Sequence, residues 1–195
     1  MTAILLGLLL GMRHALDADH IVAVTAIVSR ERSFARAARV GMLWGVGHTT
    51  TIFMVGGAIV AFRLVVPERV ALGFEFLVAL MLIVLGLLNL SKLRNAAPVP
   101  SMPPMLVGLV HGLAGSAAVA LLVLAAIPGV GGGLIYLLVF GLGTIGGMMA
   151  VTSTLAFSAR IAVDRLPLVR RYVQAGAGVL SLVFGLILAQ RTWPV

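Results

Sequence analysis

Six apolar stretches, at roughly 2–28, 40–62, 71–91, 105–127, 133–159 and 174–190, take up most of this 195-residue chain. About 20 apolar residues in a helix cross a hydrocarbon core of about 30 Å, and inside lipid a chain must satisfy its backbone polar groups within itself. The expected fold is an all-α polytopic membrane protein with six transmembrane helices. Only 10% of the residues are charged and the mean hydropathy is +1.16, so residues 1–195 read as a single transmembrane domain. The first run starts at Thr2 with no basic residue before it, which marks it as a retained span rather than a cleaved signal. Zero cysteines exclude disulfides, thiolate metal sites and dithiol electron relays.

The net charge of +8 is a topology signal rather than a nucleic-acid footprint, because the basic residues sit in short connections between spans. If span one runs inward, Arg30, Arg32, Arg36, Arg39, Lys92, Arg94, Arg160, Arg165, Arg170 and Arg171 lie inside. Arg63, Arg69 and Arg191 lie outside. Both termini are then expected outside a cell (inner) membrane, with lipid as one partner and no nucleic acid.

The chain also matches itself. Gly11-Met-Arg-His14-Ala-Leu16 aligns with Gly108-Leu-Val-His111-Gly-Leu113, and Gly45-Val-Gly47-His48 with Gly141-Leu-Gly143-Thr144. Glu75 and Gly86 fall over Gln174 and Gly185. Repeat 1, about 1–95, and repeat 2, about 105–195, each hold three spans. An odd number of spans forces the copies into opposite orientations, giving 3+3 inverted-topology repeats with a substrate site near the midplane. Glu75 and Gln174, near the starts of spans three and six, are expected at the interface, their stems snorkelling.

Span one holds Arg13-His14-Ala15-Leu16-Asp17-Ala18-Asp19-His20, where each charge costs at least about 2.5 kcal/mol at the bilayer centre. Such a cluster must compensate itself. Read as one continuous helix, Asp17 lies within roughly 60° of both His14 and His20, while Asp19 points elsewhere. Imidazole with carboxylate suits divalent nickel, cobalt, zinc or iron, and a carboxylate can hold an imidazole in the tautomer a metal needs. The competing reading pairs Arg13 with the two aspartates as structural ions, but four such residues within seven favour a metal site.

Span two adds His48, with Thr49 or Thr50 to orient it, and Gly45 and Gly47 to admit a neighbouring helix. In span four, His111-Gly112-Leu113-Ala114-Gly115-Ser116 repeats the His14 segment with small residues in place of the aspartates. His111, Ser116 and Thr144 are therefore cavity-lining candidates along with Thr49 and Thr50. The glycines around Gly141–Gly147 imply a close crossing or a broken helix lining a cavity. Met148 and Met149 read as core rather than thioether ligands.

Arg-His-Ala-Leu-Asp-Ala-Asp-His-Ile at 13–21 resembles the His-x4-Asp-His signature of the nickel/cobalt transporter family, and Leu43–Thr51 resembles its second Gly-His-Ser/Thr motif. The nearest subgroup is the six-span branch that includes urease-accessory UreH-type proteins, over the whole chain. The resemblance implies a permease, not an enzyme, for Ni²⁺ or Co²⁺ as transported substrate, with no cofactor and with His14, Asp17, Asp19, His20 and His48 handling the metal. Longer members carry Gly-Phe-Asp-Thr-Ala-Thr-Glu where this chain reads Gly143-Thr-Ile-Gly-Gly-Met-Met149. The lack of the His-rich loop of efflux relatives implies import. A homo-oligomer stays open. The rival functions are an exporter of small solutes such as amino acids on a related 3+3 fold, and an intramembrane metalloenzyme.

Overall fold

The structure is a computed structural model that describes residues 2–29, 31, 33–94, 102–114, 127–165 and 167–193. Among these residues it is all-helical. The elements are α1 (Thr2–His14), α2 (Ala18–Val28), α3 (Phe34–Phe62), α4 (Glu68–Arg94), α5 (Pro104–His111), α6 (Val130–Arg165) and α7 (Pro167–Thr192). Their ends follow local chemistry. Ser33 caps α3 by accepting from the Arg36 backbone N–H, α5 starts on a proline whose missing N–H costs nothing there, and α3 stops where Arg63 turns left-handed at φ 50°.

Four helices are long and apolar enough to cross a membrane: Phe34–Phe62, Glu68–Ser91, Val130–Ile161 and Arg171–Thr192. They correspond to the expected spans two, three, five and six. Their surface is inverted relative to a water-soluble protein, with Leu9, Met54, Leu87, Leu142 and Leu186 exposed and His20, Thr144, Thr152 and Ser181 fully buried. Apolar side chains facing outward and polar groups satisfied inside are what a lipid solvent demands.

Span one departs from the expectation. It is not one helix: α1 ends at His14, the chain turns through Ala15, Leu16 and Asp17, and α2 begins at Ala18. With 13 and 11 residues, α1 and α2 reach only about 20 Å and about 16 Å at 1.5 Å per residue, so neither crosses alone. Asp17 takes up extended backbone (φ −61°, ψ 148°) before α2, with its carboxylate turned back to His14 rather than capping α2. Of span four, α5 and the turn through Ala114 are described, whereas Ser116 lies outside the described residues.

The helices pair with a reciprocal logic. The most extensive contacts are α3 with α6 and α4 with α7, followed by α1 with α6 and α5 with α3. Glycines permit these approaches. A methyl on Gly11 would overlap the Phe140 carbonyl oxygen and crowd the Thr144 N–H, and one on Gly108 would do the same to Trp44 and His48. Gly47 meets Met105 as Gly143 meets Leu8, and Gly86 meets Gly178 and Leu182 as Gly185 meets Ala79 and Ile83. Gly141, Gly143 and Gly147 of α6 therefore mark close crossings, and α6 runs unbroken through them. Gln174 is buried, correcting its expected interfacial place, and its backbone carbonyl accepts from the Asn89 side-chain amide at 3.3 Å.

Candidate metal centre

All four histidines of the chain meet near the ends of α1 and α5 and the start of α2. His14 closes α1, His20 lies in the first turn of α2, His48 stands in mid-α3 and His111 closes α5. All four are buried. Ring centroids lie 4.6 Å apart for His14 and His20, 5.0 Å for His20 and His48, and 4.3 Å for His20 and His111. His20 is the hub. Trp44 packs on both His20 and His111, at 5.5 and 5.7 Å, and Phe140 packs on His14 at 5.4 Å.

The hydrogen bonds assign the tautomers, which follow from the network rather than from visible hydrogens. His14 Nδ1–H donates to Asp17 Oδ2 at 2.9 Å, leaving a lone pair on Nε2. His48 Nε2–H donates to that lone pair at 3.0 Å. His20 Nδ1–H donates to Asp19 Oδ1 at 3.1 Å, and His111 Nε2–H donates to Asp19 Oδ2 at 3.0 Å. Each ring is then neutral with one proton. Among the described residues, His20 Nε2, His48 Nδ1 and His111 Nδ1 are buried with no hydrogen-bond partner. Buried polar atoms are rarely left so, and a neutral imidazole nitrogen with a free lone pair is a metal-ligand atom.

Two overlapping donor sets result. Ligand atoms of His14, His20 and His48 lie within 4.8 Å of one another, as do those of Asp19, His20 and His111. Three nitrogens, or two nitrogens and a carboxylate oxygen, suit a divalent first-row transition metal.

The geometry corrects the reading of span one as a single helical face. Because the helix breaks at 15–17, Asp17 serves His14 alone, and its side chain is 41% exposed. Asp19, expected to point elsewhere, is the carboxylate that joins His20 to His111, with only 17% of its side chain exposed. The aspartates thus turn to imidazoles rather than to Arg13, whose residue is exposed. Of the hydroxyls, Thr49 donates to the Gly141 carbonyl across to α6, whereas Thr50 and Thr144 donate to carbonyls of their own helices. None of these bonds orients His48. Met148 is core, packed with Ala15 and Trp44. Two contributors went unnoticed in the sequence: Trp44, which walls the cluster, and Thr51, whose hydroxyl donates to the Leu109 carbonyl of α5 at 2.9 Å. A tryptophan one turn before an intramembrane histidine was the signal for the first.

Imidazole nitrogens and a carboxylate gathered among apolar helices make a donor set that suits a cation. The NicO family model, described as high-affinity nickel-transport protein, matches residues 1–99. The urease accessory protein UreH of Bacillus sp. (strain TB-90) is 31% identical over 200 residues, covering 93% of this chain and 87% of that protein. No solved structure matches. The chain belongs to the NicO family of high-affinity nickel-transport proteins. That family is one of transporters rather than enzymes, and it supports neither rival function.

Proposed function

We propose that this chain is a secondary permease that takes up nickel, with cobalt as the related cargo, across the cell membrane. The observation that carries the reading is the convergence of His14, His20 and His48 nitrogens within 4.8 Å among apolar helices. In this reading the three imidazoles hold the dehydrated ion, Asp17 holds His14 in its metal-binding tautomer, and Asp19 does the same for His20. Entry of the cation is favoured by the membrane potential, at about 2.3 kcal/mol per charge per 100 mV.

The frame is a 3+3 inverted repeat. Its support is the reciprocity of the glycine contacts and of two helix-break hydrogen-bond sets. Ala15, Leu16 and Asp17 donate to Gly11, Arg13 and His14 carbonyls, as Gly112, Leu113 and Ala114 donate to Gly108, Val110 and His111. The C-terminal ends of such half-helices present carbonyls that favour cations. With the basic connections inside, both termini face outward; a reporter after Val195 should read outside, and one in the 30–39 segment inside.

Purified protein in proteoliposomes, offered Ni²⁺, Co²⁺, Zn²⁺ and Mn²⁺ without organic substrate, tests the function. Nickel uptake is expected. His48→Ala should weaken equilibrium Ni²⁺ binding at least about tenfold, as loss of one ligand among three demands, while Met148→Leu leaves it unchanged. Uptake absent from the unmutated protein would sink the transport reading.

A further inference from the structure

His111 lies beyond the residues that the family model matches, in a half that has lost the aspartates, yet it is fully buried against Asp19. Its bond to Asp19 joins positions 92 residues apart in the chain. Asp19 Oδ1 takes the His20 proton and Oδ2 takes the His111 proton, so two N–H groups converge on one carboxylate. Each of those rings has its other nitrogen buried and without a partner among the described residues. A structural histidine tying two helices together needs one nitrogen bonded. It gives no reason for both His20 and His111 to keep a spare buried lone pair.

We propose that Asp19, His20 and His111 form a second cation site, and that His20 passes the transported ion to it from the site made by His14, His20 and His48. This rests on the transport reading above. A cation replaces the two protons that now bridge Asp19 to His20 and His111. Each displaced proton moves to the unpartnered nitrogen of the same ring, Nε2 of His20 and Nδ1 of His111, so both rings stay neutral and no proton leaves the protein. In the first site the ion takes His20 through Nε2; in the second it takes the same ring through Nδ1. One imidazole thus faces both sites.

Charge makes the step possible. The first donor set is three neutral imidazoles, with Asp17 one hydrogen bond removed and partly exposed; the second contains the Asp19 carboxylate itself. That direct negative ligand attracts a divalent ion in a low-dielectric interior and so offsets part of the cost of exchanging imidazoles and moving two protons, while the first site stays the tighter at equilibrium. Position agrees. His14 ends α1 and His111 ends α5, the half-helices of the two repeats, which in an inverted arrangement enter from opposite membrane faces. The two sites then lie on opposite sides of the midplane, one nearer each door.

The test compares equilibrium binding with flux, using Ni²⁺ alone as probe and the full chain throughout. His111→Gln keeps an N–H that can donate to Asp19 but removes the imidazole ligand. It should bind Ni²⁺ within about threefold of the unmutated protein, while its uptake rate in proteoliposomes falls at least about tenfold. The His14→Ala variant should retain weak Ni²⁺ binding that disappears in the His14→Ala/His111→Gln double variant. This second comparison stands even if the uptake measurement is compromised by poor reconstitution. Uptake by His111→Gln at the unmutated rate would overturn the second site and leave the transport reading intact. So would residual binding in His14→Ala that persists without His111. Loss of binding in His111→Gln as severe as in His48→Ala would overturn it too, because the cluster would then be one site. An unmutated protein that neither binds nor takes up Ni²⁺ would remove both proposals together.

Discussion

The turns at 15–17 and 112–114 share a backbone and differ in chemistry. Both use the same three turn hydrogen bonds, and both follow a helix that ends on a histidine. In the first, Asp17 follows and holds His14 through Nδ1. In the second, buried Ala114 occupies the equivalent place and packs in the apolar core, so His111 Nδ1 has no such partner and its Nε2 turns to Asp19 of the other half. The difference teaches that the same turn hydrogen bonds form with or without a carboxylate in the turn. Where none follows the histidine, as after His111, the bond described for its ring is made to a distant segment, at Asp19.

The comparison breaks most visibly at its glycines. Gly11→Leu and Gly108→Leu should do equal damage, each driving a side chain into the backbone of a facing helix, at a cost of about 3 kcal/mol or more, the upper range for overpacking. Thermal unfolding and the monodisperse fraction in detergent would report it. If one variant folds normally, the halves are not equivalent at these crossings.

A smaller effect sharpens the comparison at the site. Asp17→Ala makes the first break resemble the second, leaving His14 Nδ1 without its acceptor. Nickel affinity should fall about 10–100-fold, or about 1.4–2.7 kcal/mol, the usual consequence of removing a carboxylate behind a metal-binding imidazole. Because the Asp17 side chain is 41% exposed, the melting temperature should hardly move. An unchanged affinity, measured by isothermal titration with Ni²⁺, would make Asp17 a bystander and the two breaks alike in function.

The smallest effect concerns how the second break is tied to the first half. Thr51→Val removes the buried hydroxyl that donates from α3 to the Leu109 carbonyl of α5, and should cost about 1 kcal/mol of stability. Thr50→Val, which loses only a bond within its own helix, should cost less. Equal losses in thermal unfolding would mean that α5 is not held through Thr51.

Much of this was legible in the residues. Membrane residence is a local property: the transfer free energies of about 20 neighbours add up whatever the rest of the chain does, so spans two, three, five and six could be placed from sequence. Glycines at matching places in the two halves of the sequence, Gly11 with Gly108, Gly47 with Gly143 and Gly86 with Gly185, prove to pack closely against facing helices. His14, Asp17, Asp19, His20 and His48 stood out as candidate metal residues because ionisable groups in lipid need partners. The roles of the two aspartates were not. They depended on whether 13–20 is one helix or two, and a three-residue break rotates every later side chain away from the face that periodicity assigns it.

Sequence alone therefore determined that this is a helical membrane protein with a few histidines among its apolar segments, since burial cost and periodicity are summed along the chain. Only the tertiary structure decided which groups share that centre. His14 meets His48 across 34 positions and Asp19 meets His111 across 92, contacts set by where α1, α3 and α5 cross. Such crossings depend on surfaces contributed by distant segments, and a ligand set assembled from four of them has no spacing that a single stretch of sequence could display.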